Sequence, residues 1–282
     1  MSVANKPSEN ELDTVATNLR VVLNRLKEVS EKAQGTSRWC GRIPMLVAVS
    51  KTKHPDLVKR CYDEGQRKFG ENYVQELQEK AAALANDCPH IEWHFIGQIQ
   101  SNKELQEKAA ALANDCPHIE WHFIGQIQSN KIAKLAAIQN LHCVETLSSE
   151  KHCTMLDKEM AKRGRRINVY VQTNTSNEPQ KGGATPESAL NVAQFIREQC
   201  PSLRFAGFMT IGSFEQSSSQ QPNADFDVLF DVRKKFCERT GVSEGDYDLS
   251  MGMSHDFETA VLQGSTSVRV GTTIFGSRLH PQ

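Results

Sequence analysis

Leu12, Val15, Ala16, Leu19, Val22, Leu23, Leu26 and Val29 recur at helical spacing near the start of the chain. Steps of three and four put them on one side of a helix, so the segment predicts a long amphipathic helix with one continuous apolar stripe. The pattern then changes. Short apolar runs follow and read as buried strands: Leu46–Val49, Lys68–Gly70, a Trp-His-Phe-Ile-Gly run that occurs twice, Cys143–Leu147, Ile167–Gln172, Phe205–Ile211, Leu249–Met251 and Val268–Phe275. Helical patterns lie between them at Pro55–Gly65, Tyr73–Leu84 and Ser148–Gly164. Thr185-Pro186-Glu187 reads as a helix start, with Thr as cap, Pro in the first turn and an acid at the positive dipole end. Asp225 is a second candidate cap, ahead of Phe226, Leu229 and Phe230.

With the repeated run counted once, eight strands alternate with helices. That alternation predicts a parallel sheet with crossover helices. Eight such units in a chain of about 250 residues match a (β/α)8 TIM-type barrel, here one α/β domain over 1–282 with an extra N-terminal helix. An open doubly wound sheet is the alternative. The first strand lacks a following Gly-x-Gly-x-x-Gly, which weighs against dinucleotide binding.

Residues 76–103 and 104–131 are identical at all 28 positions. No third unit follows, so the repeat is not a solenoid. A recent tandem duplication and a sequence error both fit the pattern, and removing one 28-residue copy from 282 leaves 254. A closed barrel has no slot for a ninth strand without a change of shear. The expectation is therefore that one copy is extruded as an insertion.

Composition narrows the function. There are 33 Lys+Arg against 34 Asp+Glu, a net charge of -1, and 38% hydrophobic residues. This balance carries no electrostatic footprint for nucleic acid or a membrane surface. No stretch approaches the ~18 apolar residues of a membrane span. Met1 to Glu11 is polar and has no apolar signal region, so a cytoplasmic chain is expected. Mitochondrial association stays open, although Glu9, Glu11 and Asp13 weigh against a transit peptide. The eight cysteines form no C-x-x-C pair and have no zinc-ligand spacing with histidine. They read as reduced structural thiols. The basic cluster Lys162, Arg163, Arg165 and Arg166 reads as a solvated helix end, and the polar stretch Ser213–Ala224 as a surface loop.

Lys51 follows the first strand, where a barrel places its site. An apolar wall there disfavours the ammonium form, and a neutral amine attacks an aldehyde to form a Schiff base. An ordinary surface lysine fits the same position. Ser254 lies after the seventh strand, and Gly271 and Thr272 after the eighth. Phosphate often sits between those two loops, and hydroxyls with a glycine suit an anion. Arg269 points to the same side as Gly271, and a buried arginine needs a partner. A pyridine nitrogen is one candidate, and Glu71 or Glu145 is the structural alternative. Asn72 ends the second strand and faces the same mouth. His94 and His122 lie mid-strand and read as packed barrel residues.

An aldehyde-trapping lysine, a phosphate cradle and a pyridine-facing arginine together specify pyridoxal phosphate. The strings VAVSKTK (47–53), FGENYVQEL (69–77), WHFIGQIQSNK, GFMTIGSF (207–214), LSMGMSHDFE (249–258) and VRVGTTIFGSR (268–278) resemble the pyridoxal phosphate homeostasis protein family. That family is similar to the N-terminal barrel of alanine racemase. The resemblance implies that Lys51 carries the cofactor as a Schiff base, and that Ser254, Gly271 and Thr272 hold its phosphate. It places Arg269 at the pyridine nitrogen and Asn72 beside the ring. It also implies a protein that buffers pyridoxal phosphate, or delivers it to apo enzymes that use it, without strong turnover; a monomer or weak dimer is expected. Only seven residues follow Phe275, too few for a second domain to close the mouth. An amino-acid racemase is the rival reading and needs a second base, such as Tyr73 or a histidine. A third possibility is that the duplication spoils the mouth and nothing binds.

Overall fold

The computed structural model describes residues 6–39, 41–96, 120–217 and 222–277. Its first element is the predicted amphipathic helix, α1 (Glu9–Ala33), closed at its start by a capping box between Ser8 and Glu11. Val15, Ala16, Leu19, Val22, Leu26 and Val29 are buried, whereas Leu23 falls off the stripe and is 36% exposed. Among the described residues nine strands follow: β1 (Met45–Val49), β2 (Lys68–Glu71), β3 (Glu92–Phe95), β4 (Trp121–Phe123), β5 (Leu141–Leu147), β6 (Ile167–Gln172), β7 (Leu203–Met209), β8 (Asp248–Ser250) and β9 (Ser267–Val270). All pair in parallel and in chain order, and β9 returns to β1 through Met45↔Ser267, Leu46↔Val268, Val47↔Arg269 and Ala48↔Val270. The sheet is a closed barrel, as predicted, and the open-sheet alternative is excluded.

The strand count differs from expectation. The Trp-His-Phe runs of both repeat copies are barrel strands, hydrogen-bonded to each other with His94 opposite His122 and Phe95 opposite Phe123. No copy's strand is extruded; the helical part of the second copy lies outside the described residues. The expectation failed because it treated the shear as fixed. Here β4 has only three residues, and the ladder to β5 slips between Trp121 and His122, which absorbs the extra strand locally. Burial supplies the drive. Trp121 and Phe123 are each 2% exposed, the same as Trp93 and Phe95. Leaving such residues on a free edge strand would forfeit roughly 1.5–3 kcal/mol for each large apolar side chain.

The helices cover the barrel from outside: α2 (Pro55–Asp63), α3 (Val74–Leu84), α4 (Ile132–Ala136), α5 (Glu150–Ala161), α6 (Pro186–Gln199), α7 (Phe214–Ser217), α8 (Ala224–Thr240), α9 (Phe257–Leu262) and α10 (Thr272–Phe275). Thr185 caps α6 by accepting from the Ser188 N–H. The cap of α8 is Asn223 rather than Asp225, its side chain accepting from the Asp225 N–H. The last predicted strand stops at Val270, and Thr272–Phe275 turn into α10 instead. The predicted loop Ser213–Ala224 contains α7, and residues 218–221 lie outside the described residues. Helix α1 packs against α2, α9 and α10, beside the β1–β9 closure.

The expected solvated helix end after α5 is partly tied down. Lys162 and Arg163 pair with Glu159, and Arg165 donates to the carbonyls of Ile138 and Leu141. Cys61, Cys88, Cys143, Cys153, Cys200 and Cys237 are free and buried, as expected, while Cys40 and Cys116 lie outside the described residues. Among the described residues no helix is long and apolar enough to cross a membrane.

Candidate functional site in the barrel mouth

Alternation along each strand sorts the barrel into two environments. Outward residues such as Phe69, Trp93, Phe95, Trp121, Val144 and Val169 join the large core beneath the helices. The interior is more polar. It holds a small apolar cluster of Ile124, Cys143, Tyr170 and Met209, together with buried His94, Glu145 and Arg269 and half-buried His122.

The six predicted site residues fall on β2, β1, β9 and β8, four strands that are neighbours in that order, or just past their C-terminal ends. Lys51 lies two residues beyond β1. Thr52 beside it has φ +63°, a left-handed conformation rare for a β-branched residue, so the turn after Lys51 is a fixed feature held by its surroundings. Asn72 directly follows β2, and its Oδ1 is buried without a hydrogen-bond partner. On the far side, the Gly271 N–H donates to Ser254 Oγ at 3.0 Å, and Thr273 Oγ1 donates to the Ser254 carbonyl at 3.2 Å. Thr272 begins α10 and is exposed.

Two glycines make this rim possible. Gly252 has φ +100°, and a Cβ there would lie 2.6 Å from Ala260 Cβ. A Cβ on Gly271 would lie 3.1 Å from the Val49 carbonyl oxygen. The β1 and β9 ends approach closely there, and a side chain at Gly271 would crowd the Val49 backbone.

Arg269 is 7% exposed. One guanidinium nitrogen donates to Ser250 Oγ at 2.6 Å and another to the Thr210 carbonyl at 3.1 Å. Neither Glu71 nor Glu145 is its direct partner. Glu145 is one hydroxyl away, 3.4 Å from Ser250 Oγ. Glu71 faces Lys80 instead, and desolvation leaves Arg269 less basic than usual despite Glu145 and Asp256.

Sequence reasoning missed Lys80. It is 2% exposed, and its Nζ donates to the Ser50 carbonyl, Glu71 Oε1 and Glu76 Oε1, each at 2.7 Å. Ser50 Oγ also donates to Glu71 Oε1 at 2.5 Å. This buried brace locks the residue before Lys51 to the end of β2. Burial pushes Glu71 up to about 7, with Lys80 opposing. The visible signal was the Glu76–Lys80 spacing of four, which also fits an exposed helical ion pair.

His94 and His122 are brought together by the repeat. Their rings stack with centroids 3.9 Å apart. His122 Nδ1 donates to Glu145 Oε1 at 3.0 Å. Burial alone would raise Glu145, but the hydrogen bond from His122 and the nearby His94 imidazole outweigh it and hold the carboxyl well below its usual range.

A closed parallel barrel with this rim is of the alanine racemase N-terminal type, and a family model described as "Alanine racemase, N-terminal domain" matches residues 12–279. A pyridoxal phosphate homeostasis protein of Caenorhabditis elegans is 44% identical over 270 residues, covering 95% of this chain and 97% of that one. The Homo sapiens protein of that name is 43% identical over 239 residues, covering 83% and 77%. Among solved structures, PipY of Synechococcus elongatus with PLP bound superposes with a TM-score of 0.62 at 25% identity, covering 93% of this chain and all of that one. The chain belongs to the pyridoxal phosphate homeostasis protein family.

Proposed function

We propose that this protein binds pyridoxal 5'-phosphate reversibly at the barrel mouth, with Lys51 as the covalent anchor, and serves cellular vitamin B6 homeostasis. The observation that carries the reading is the convergence of Lys51, Asn72, Arg269 and the Ser254–Gly271–Thr272 rim on four adjacent strands. The residues fit the group. The buried Asn72 Oδ1 lacks a partner, and a Cβ at Gly271 would crowd the Val49 carbonyl at 3.1 Å. Ser254, Gly271 and Thr272 would hold the phosphate, Arg269 would face the pyridine nitrogen and Asn72 would line the ring. When bound, the cofactor supplies an aldehyde to an amine and an electron-withdrawing ring.

Arg269 bears on catalysis. A guanidinium facing the ring nitrogen disfavours protonation there and weakens the electron sink that most such enzymes use. This weaker electron sink and the homeostasis names of the relatives favour carriage or buffering over turnover, with apo enzymes as recipients. The rival is amino-acid racemisation, with Tyr73 or a histidine as the candidate second base.

Visible absorption of the purified protein with added pyridoxal phosphate, before and after borohydride, tests the reading. A borohydride-sensitive band that Lys51→Ala abolishes is the expected result, with reduction fixing the label on the peptide containing Lys51. An unchanged spectrum in Lys51→Ala would overturn the anchor. Sustained loss of optical rotation from L-alanine would favour the racemase.

A further inference from the structure

The repeat does more than add a strand. It sets two copies of one histidine side by side in the barrel interior, against a buried carboxylate on β5. From this geometry we infer that His94, His122 and Glu145 form a binding site for a single divalent transition-metal ion of borderline softness, such as Zn2+ or Co2+.

One nitrogen from each imidazole and one oxygen of Glu145 all lie within 4.8 Å of one another. His122 Nδ1 is 3.0 Å from Glu145 Oε1, and His94 Nδ1 is 3.9 Å from the same oxygen. Ligands about 2.0–2.2 Å from a tetrahedral zinc ion are separated by roughly 3.3 Å, close to the His122–Glu145 separation and shorter than that of His94. The rings are stacked within 30° of parallel, so one imidazole must rotate out of the stack for both in-plane lone pairs to point at one ion.

His94 supplies the independent observation. It is 1% exposed, its Nε2 has no hydrogen-bond partner, and its Nδ1 stands beyond hydrogen-bond reach of Glu145. A buried imidazole in that condition has a lone pair and no use for it. An ion between the three groups would take that lone pair, and the carboxylate would offset its charge.

Two imidazoles and a carboxylate form a mixed nitrogen and oxygen donor set, suited to zinc and its neighbours rather than to calcium or magnesium. Three protein ligands leave a fourth position for water or a small anion. Ser250 Oγ, 3.4 Å from Glu145 Oε2, would orient the carboxylate from behind and links the site to Arg269.

A second grouping, Glu120, His122 and His142, shares His122. Its members are less buried, and Glu120 and His142 face each other at 3.4 Å. The inner set is favoured because its histidine is unpartnered.

The test is titration of the full chain, stripped with chelator, with Co2+, reading ligand-field absorption and metal per chain after equilibrium dialysis. One Co2+ per chain is expected, with at least tenfold weaker binding in His94→Gln and in His122→Gln. His142→Gln should stay within twofold of wild type. Lys51→Ala should also bind normally, which separates this site from the cofactor's. Binding undiminished in His94→Gln, or lost only in His142→Gln, overturns the proposal. Zinc-edge X-ray absorption of the loaded wild-type protein needs no substitution. Two imidazoles in the first shell support the site, and fewer than two overturn it.

Discussion

Phe95 on β3 faces Phe123 on β4 across a parallel ladder, and they are the same residue of the two repeat copies. Their rings stack with centroids 6.4 Å apart, and Phe95 also meets Trp121 edge-on at 6.3 Å. In-register pairing of identical segments explains this. Each residue meets its own copy, so the apolar side chains of both copies fall outward and the histidines inward.

If both copies are structural, both tryptophans carry core energy. Trp93→Ala and Trp121→Ala are each expected to cost about 3–5 kcal/mol. Urea denaturation followed by circular dichroism measures both. A neutral Trp121→Ala beside a costly Trp93→Ala would mean that the second copy's strand is outside the barrel in solution.

The brace beneath Lys51 has its own energetic signature. At pH 8, where Glu71 is ionised beside Lys80, removing the cation leaves an uncompensated charge, so Lys80→Met is expected to destabilise by about 3–5 kcal/mol there. Replacing both partners removes the uncompensated carboxylate, so Lys80→Met combined with Glu71→Leu should be more stable than Lys80→Met alone. A double-mutant cycle in urea checks this; simple additivity would show that the pair is not coupled.

What could be read in the sequence followed distance along the chain. The rim residues Lys51, Asn72, Ser254 and Gly271 sit in short motifs at strand ends, where strand periodicity and glycine positions locate them. Arg269 was placed inside by its two-residue step from Gly271, but its partners Ser250 and Thr210 lie 19 and 59 residues away and carry no local signal. Lys80 was hidden because its helix looks amphipathic, and only the tertiary contact with Glu71 and Ser50 shows its burial. The ninth strand was misplaced for a different reason. Periodicity identified both Trp-His-Phe runs as strands, but how many strands close a barrel depends on stagger, which a bulge at Trp121 alters locally.

Phosphate recognition can be separated from recognition of the ring. If Ser254 Oγ contacts the phosphate, Ser254→Ala should weaken binding of pyridoxal phosphate about tenfold, the worth of one hydrogen bond to a charged group. Binding of pyridoxal, which lacks the phosphate, should change by less than twofold. Fluorescence titration with both compounds measures the difference. Equal losses for the two would move the phosphate away from Ser254.

The pH dependence of stability should show two buried groups acting in opposite senses. Burial, aided by His122, pushes His94 down to about 4 from an ordinary 6.5. Burial pushes Glu71 up to about 7 from 4.5, against the pull of Lys80. Below pH 6.5 the unfolded chain takes up a proton at His94 that the folded chain refuses until about pH 4. That contribution is therefore lost as pH falls through this window. Between pH 4.5 and 7 the folded chain keeps a proton on Glu71 that the unfolded chain has released. That contribution is present at the acidic end and lost as pH rises towards 7. Each separation corresponds to something on the order of 3 kcal/mol, so in the wild-type protein the two largely cancel between pH 5 and 6.5. Substitution should unmask each in turn. In Glu71→Gln the urea midpoint should fall as the pH is lowered from 7 to 5, and in His94→Gln it should rise over the same interval. Profiles of the same slope in both variants would show that neither group holds its shifted protonation state in the folded barrel.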